Sequence, residues 1–297
     1  MTAFKLALAQ YPIEQLGSFD DWRAKIASWV AEAAGAGAKL LVFPEYAAME
    51  LAALDPASMG DLDGTIRFVA GLIDQIDAHH AALAAAHDVH IVAGSLPCPL
   101  ADGRAVNRAR LFAPNGKVGN QDKIVMTRFE REKWHIAGGE PVRVFETALG
   151  RIGISICYDV EFPLIARAQA EAGAILILSP SCTDTMQGYW RVRVGAQARA
   201  LENQCFVAQA PTVGMAAWSP VLDENYGAAG LFAPPDSDTP DDGVLALGDL
   251  GKGQWVYGEI DPARVVRWRA EGTVLPFTHW TESAATTSLP CQVVDLR

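Results

Sequence analysis

The 297 residues carry a formal net charge of −11, and half of them are hydrophobic. This excludes several classes: the chain has no Lys/Arg cluster to neutralise phosphates, so no nucleic acid is expected as partner, and no apolar run reaches the roughly 18–20 residues of a membrane span. The five cysteines, Cys98, Cys157, Cys182, Cys205 and Cys291, are odd in number and form no C-x-x-C, which speaks against a disulfide framework and a cysteine-built zinc site.

The N-terminus, M-T-A-F-K-L-A-L-A-Q, lacks the basic and long apolar pattern of a secretory leader. It reads as a strand, Phe4–Ala9, and a cytoplasmic protein with free thiols is expected. Ser18 then precedes F-D-D as a helix cap, with Asp21 three residues on. Trp22, Ile26, Trp29, Val30 and Ala33 follow on one helical face, and G-A-G-A (35–38) ends the run.

Further strands are expected at Leu40–Phe43, Val89–Gly94, Ala109–Phe112, Ile152–Ile156, Ala174–Leu178, Cys205–Ala210 and Trp255–Ile260. Several are nearly all apolar, the pattern of a sheet covered on both faces. Helices are expected over Thr65–His87, Phe162–Ala172 and Gly188–Asn203, and a hairpin turn at Asn115-Gly116. The stretch P-P-D-S-D-T-P-D-D-G (234–243) reads as a surface loop. Histidines 79, 80, 87 and 90 read as a polar helix face. The fold class is α/β. One domain is expected over 1–297, with 262–297 an extension whose aromatic Trp268, Phe277 and Trp280 pack on the body or on a partner subunit.

Cys157 stands where an apolar strand ends and Phe162-Pro163 opens a helix. Such a cysteine is either a small core residue or a thiol presented above a sheet, with the Tyr158 N–H available to an oxyanion. Glu45 follows the apolar run L-V-F-P, where a charge is costly unless it pairs or faces a cleft. Lys123 follows the second strand of the hairpin and, alone, reads as a surface lysine. Glu132 in F-E-R-E-K-W reads by default as a helix-surface carboxylate.

Together these residues resemble the carbon–nitrogen hydrolase (nitrilase) superfamily. The resemblance rests on F-P-E-Y (43–46), D-K (122–123), E-K-W with Gly138-Gly139, G-R-I-G-I-S-I-C-Y-D-V-E-F-P (150–163) and A-R-A-L-E-N-Q (198–204), in consistent order over roughly residues 4–260. It implies a four-layer α-β-β-α sandwich, pairing into a homodimer, and hydrolysis of non-peptide C–N bonds without metal or cofactor. It maps Cys157 onto the nucleophile, Glu45 onto the general base and Lys123 onto the oxyanion stabiliser. Glu132 is preferred over Glu130 as a second active-site carboxylate, because it keeps the family's spacing to the glycine turn. That turn reads Ala137-Gly138-Gly139 here instead of the common Pro-Gly.

The expected substrate is a small linear amide. Nitrile-hydrolysing members usually carry Trp-Glu after the nucleophile, whereas this chain has Tyr158-Asp159. Nitrilase or N-carbamoyl amidohydrolase activity, or a non-catalytic ligand-binding relative, are the alternatives. Tyr46, Phe129, Tyr158, Ser181, Cys182 and Thr183 are the expected pocket walls. Asp159 and Glu161 are expected to orient the turn or pair with bases such as Arg199. No arginine is assigned to a substrate carboxylate.

Overall fold

The computed structural model describes residues 2–297. The first half of the chain runs through β1 (Phe4–Pro12), α1 (Phe19–Gly35), β2 (Ala38–Val42), α2 (Leu62–Ala70), α3 (Ile73–His87), β3 (His90–Pro99), β4 (Ala105–Phe112), β5 (Val118–Asp122), α4 (Arg128–Glu132) and β6 (Ile136–Ala137). The second half adds β7 (Val144–Thr147), β8 (Gly150–Ile154), α5 (Pro163–Glu171), β9 (Leu176–Ser181), α6 (Met186–Asn203), β10 (Phe206–Met215), β11 (Glu224–Asn225), β12 (Gly230–Phe232), β13 (Val244–Leu247), β14 (Gln254–Ile260), α7 (Pro262–Glu271) and α8 (Pro276–Thr287).

One sheet has the order β5-β4-β3-β2-β1, with β14 antiparallel on the far side of β1. The other runs β7-β8-β9-β10 and continues into β12 and β13. The two meet at a corner where Tyr11 and Pro12 pair in parallel with Thr212 and Val213. The central strands β1, β2 and β3 are parallel, as are β8, β9 and β10.

Alternation along the strands builds the layers. Leu6 and Leu8 of β1 and Leu40 and Val42 of β2 share a buried cluster with Ile154, Ile177 and Val207 of the second sheet. Their neighbours Ala7, Ala9, Leu41 and Phe43 point the other way, onto Trp22, Ile26 and Val30 of α1 and Ile76 of α3. Helices α5 and α6 cover the second sheet through Ala166, Val192, Ala196 and Ala200. The result is the α-β-β-α sandwich. Ser18 caps α1 by accepting the Asp21 N–H at 3.1 Å. The turn between β4 and β5 places Gly116 at φ +83°, which a glycine adopts without strain.

Two expectations change. The helix expected over Thr65–His87 is two helices, because Gly71 closes α2 before α3 begins at Ile73. His80 is not on a polar face: it is buried, stacks on Phe112 and holds the Ile76 carbonyl at 2.9 Å. Burial pushes its pKa down to about 3. The C-terminal stretch, weak in periodicity, folds into α7 and α8, which pack on the body. Trp268 is buried and donates to Asp238 Oδ1 at 2.7 Å. The Arg167 guanidinium lies over the rings of Phe277 (4.5 Å) and Trp280 (4.9 Å). Among the described residues, no helix is long and apolar enough to cross a membrane.

Candidate active site

The C-terminal ends of β2, β8 and β9 meet at one edge of the sandwich, the edge where open α/β sheets place their ligands. Glu45 leaves β2 three residues after Val42 and bridges to Ser95 of β3. Gly94 permits this: with φ +72°, its backbone lies so close to Pro44 that a Cβ would overlap the Pro44 carbonyl. Lys123 follows β5, and its N–H donates to the Asn107 carbonyl at 2.8 Å. The Gly139 N–H donates to the Lys123 carbonyl, also at 2.8 Å, and a Cβ on Gly139 would overlap Asp122. This glycine turn thus cradles the lysine.

The Lys123 ammonium is buried between two carboxylates, at 2.8 Å from Glu45 Oε1 and 2.6 Å from Glu130 Oε2. Asn107 Nδ2 donates to both acids, at 2.8 Å to Glu45 and 3.2 Å to Glu130. The Tyr46 hydroxyl adds 2.6 Å to Glu130 Oε1, and the Cys182 N–H adds 2.9 Å to Glu45 Oε2.

The second carboxylate at Lys123 is therefore Glu130, and the expectation of Glu132 is corrected. Glu132 is exposed and forks onto Arg128 at 2.9 and 3.0 Å. Two residues along a helix turn a side chain through about 200°, so only one of this pair can face inward. Sequence spacing to the glycine turn cannot resolve that rotation. The T-x-x-E pattern of Thr127 and Glu130 was the available signal: Glu130 closes a capping box on Thr127 while its carboxylate also holds Lys123. Asn107 escaped notice because the strand was expected to begin only at Ala109.

Cys157 stands at φ +47°, a left-handed conformation costly for a residue with a Cβ, and opens a short 3-10 turn over 157–161. Three backbone N–H groups, of Ile124, Val125 and Ile156, converge on the Asp159 carboxylate at 2.8–3.2 Å. Asp159 therefore ties the cysteine turn to the lysine turn. Its carboxyl is pushed up to about 7, chiefly by burial, with Lys123 and these donors opposing.

Burial is the largest influence on Glu45 and raises it; Lys123 opposes and Glu130 adds to the rise. Burial also works against ionised Glu130, but Lys123, the Tyr46 hydroxyl and the Thr127 N–H together outweigh it and hold that carboxyl below its ordinary value. Burial opposes the charge on Lys123, yet the two carboxylates outweigh it and keep it an ammonium. The Cys157 thiol is pushed well up, first by burial and then by the Glu45 charge beside it. At rest the sulfur keeps its proton, donates toward the Cys182 carbonyl at 3.6 Å, and has a carboxylate base at hand.

A cleft of about 470 Å³ opens above these groups. Of the expected walls, Tyr46, Phe129, Tyr158, Cys182 and Thr183 line it, joined by Trp134. Ser181 does not. It is fully buried and donates to the Ser179 carbonyl at 3.0 Å, because it belongs to the inward face of β9. Glu161 pairs with Arg191 at 3.5 Å, whereas Arg199 engages Glu202 and the Val160 carbonyl. The pairing expected between Arg199 and the acids of this turn is thus replaced by Arg191, a cleft-wall arginine that went unassigned in the sequence.

The sequence pattern of the carbon–nitrogen hydrolase family matches residues 5–270. The chain is 33% identical over 270 residues to the probable hydrolase YhcX of Bacillus subtilis (strain 168), covering 91% of this chain and 52% of that protein. It thus spans about half the length of that relative. It is 27% identical over 232 residues to the omega-amidase NIT2 of Danio rerio, covering 75% of this chain and 76% of that one. Among solved structures, Saccharomyces cerevisiae Nit3, a member of branch 10 of the nitrilase superfamily, matches with a TM-score of 0.72 at 21% identity, covering 90% of this chain and 93% of that one. The last likeness concerns the fold.

Proposed function

The chain belongs to the carbon–nitrogen hydrolase family, and from that premise we propose that it hydrolyses the C–N bond of a small amide through a thioester on Cys157, releasing ammonia or an amine and a carboxylic acid. The observation that carries this reading is the buried Glu45–Lys123 contact of 2.8 Å beside the buried Cys157 thiol, at the floor of a substrate-sized cleft.

Glu45 takes the thiol proton as Cys157 Sγ attacks the amide carbonyl carbon. The carbonyl π pair moves onto oxygen, and the Lys123 ammonium and the Tyr158 N–H stabilise that charge. The C–N bond then breaks, and the nitrogen leaves with the proton that Glu45 returns. Ionised again, Glu45 deprotonates a water that attacks the thioester, and the acid departs as the thiol re-forms. Glu130 and Asn107 keep Lys123 and Glu45 in register through this cycle. The elevated Glu45 pKa suits a group that must both take and give a proton near neutrality.

The same reading extends to assembly as a homodimer, supported by Leu164 on α5 and Trp190 and Val194 on α6, large apolar side chains left exposed on one helical layer.

The test is ammonia release from a panel of small amides, N-carbamoyl compounds and nitriles, with Cys157→Ala as blank. Turnover of amides, abolished in the variant and accompanied by an acyl adduct on Cys157 in mass spectrometry, is expected. Turnover of nitriles alone would overturn the amidase reading.

A further inference from the structure

Five charged side chains line the cleft beyond the catalytic group: Arg128, Glu161, Asp184, Arg191 and Glu224. Their pairing decides what charge a substrate meets. Arg128 is held by Glu132 at 2.9 Å, in a bidentate contact outside the cleft. Arg191, on the second turn of α6, is held by Glu161 at 3.5 Å, and Glu161 is only 20% exposed at its side chain. Lys123, at the floor, is already shared by Glu45 and Glu130. Every cation facing the cleft is therefore engaged by a carboxylate of the protein itself.

The anions are not balanced in the same way. Asp184 and Glu224 are exposed on the wall, and among the described residues neither has a basic partner within ion-pair distance. Their two loops are clamped together: the Tyr226 N–H donates to the Thr183 carbonyl at 2.8 Å, and Thr183 Oγ1 donates to the Tyr226 carbonyl at 2.6 Å. Four aromatic rings, of Tyr46, Phe129, Trp134 and Tyr158, form a further part of the wall. Ring faces attract cations and offer nothing to a carboxylate.

Building on the amidase reading above, we infer that this cleft favours an amide whose far end carries an ammonium group, and that Glu161, by occupying Arg191, disfavours amides ending in a carboxylate. A distal carboxylate would compete with Glu161 for Arg191 in an acidic cleft and meet Asp184 and Glu224 as like charges. A distal ammonium meets two unengaged carboxylates and an aromatic wall.

The test compares three amides of one length that differ only at the far end: succinamate (carboxylate), butanamide (methyl) and 3-aminopropanamide (ammonium). For the wild-type protein, kcat/KM is expected to rise in that order, by roughly fivefold per step, the scale of an exposed charge contact. The spread should shrink in high salt. Glu161→Gln should raise the succinamate-to-butanamide ratio by releasing Arg191, and adding Arg191→Gln should cancel that gain. Asp184→Asn with Glu224→Gln should bring the 3-aminopropanamide-to-butanamide ratio down toward one. Because each readout is a ratio on one enzyme, lost folding or lost catalysis does not imitate it.

Succinamate turned over as well as butanamide by the wild-type protein would overturn the inference, as would ratios unmoved by these substitutions. Failure of the amidase reading looks different: no ammonia from any of the three amides, or equal release by Cys157→Ala.

Discussion

Asp159 Oδ1 accepts the Val125 N–H at 2.8 Å, joining the turn that carries the thiol to the turn that carries the ammonium. The two turns end strands of different sheets, so this carboxylate fixes a distance that neither sheet sets alone. Asp159→Ala leaves buried N–H donors without an acceptor, a loss of about 2–3 kcal/mol. Urea unfolding should show a lowered midpoint, and kcat should fall together with it.

The same carboxyl, raised to about 7 by burial, has a definite effect on stability against pH. The folded protein holds this proton more tightly than the unfolded chain, whose aspartate titrates near about 4. The stability that comes from the held proton is complete below that value and is lost as pH rises toward about 7. Asp159→Asn should flatten this part of the stability profile, measured by denaturant midpoints at several pH values. An unchanged slope would assign the titration elsewhere.

Glu130 and Glu132 make a paired test. Glu130→Gln removes one of the two charges that hold the Lys123 ammonium, and kcat/KM should fall on the order of 100-fold, the scale of a lost preorganised charge contact. Glu132→Gln removes only an exposed ion pair with Arg128, with little effect on stability or rate. Equal losses in both variants would contradict the placement of Glu130 at the site.

Glu45 must be ionised to take the thiol proton, and its pKa is raised first by burial. The acid limb of kcat/KM should therefore lie above the ordinary carboxylate range, near about 4.3 for glutamate. Asn107→Leu keeps the bulk but removes a donor that favours the ionised form, and should move this limb further up. Alkylation of Cys157 by iodoacetamide, followed across pH, checks the same titration without substrate.

Arg167 clasps the C-terminal helices, stacking on Phe277 and Trp280 and donating to the Phe277 carbonyl at 3.1 Å. Helix α8 buries none of its own residues, so this clasp is a main tie to the body. Arg167→Ala should speed proteolytic cleavage near residues 276–287 while the rest of the chain stays resistant.

Much of this molecule was legible in the order of its residues, for a local reason. Whether a stretch is strand or helix depends on periodicity and caps a few residues apart, and Ser18, Asn115-Gly116 and Phe162-Pro163 declare themselves in that way. The chain order of Glu45, Lys123 and Cys157, each just beyond a strand, was equally readable. What the tertiary structure alone decided were relations across the chain. A helical rotation chose Glu130 over Glu132 for the lysine, and a strand that begins four residues earlier than expected brought in Asn107. The meeting of α6 with the cysteine turn set Glu161 against Arg191. Burial, which exists only once the two sheets close, raises both the Cys157 thiol and the Glu45 carboxyl. The sequence by itself determined which chemical groups are available and on which strand ends they stand. Which of them touch, and which protons they hold, depends on distance and desolvation, and those arise only when residues far apart in the chain are packed together.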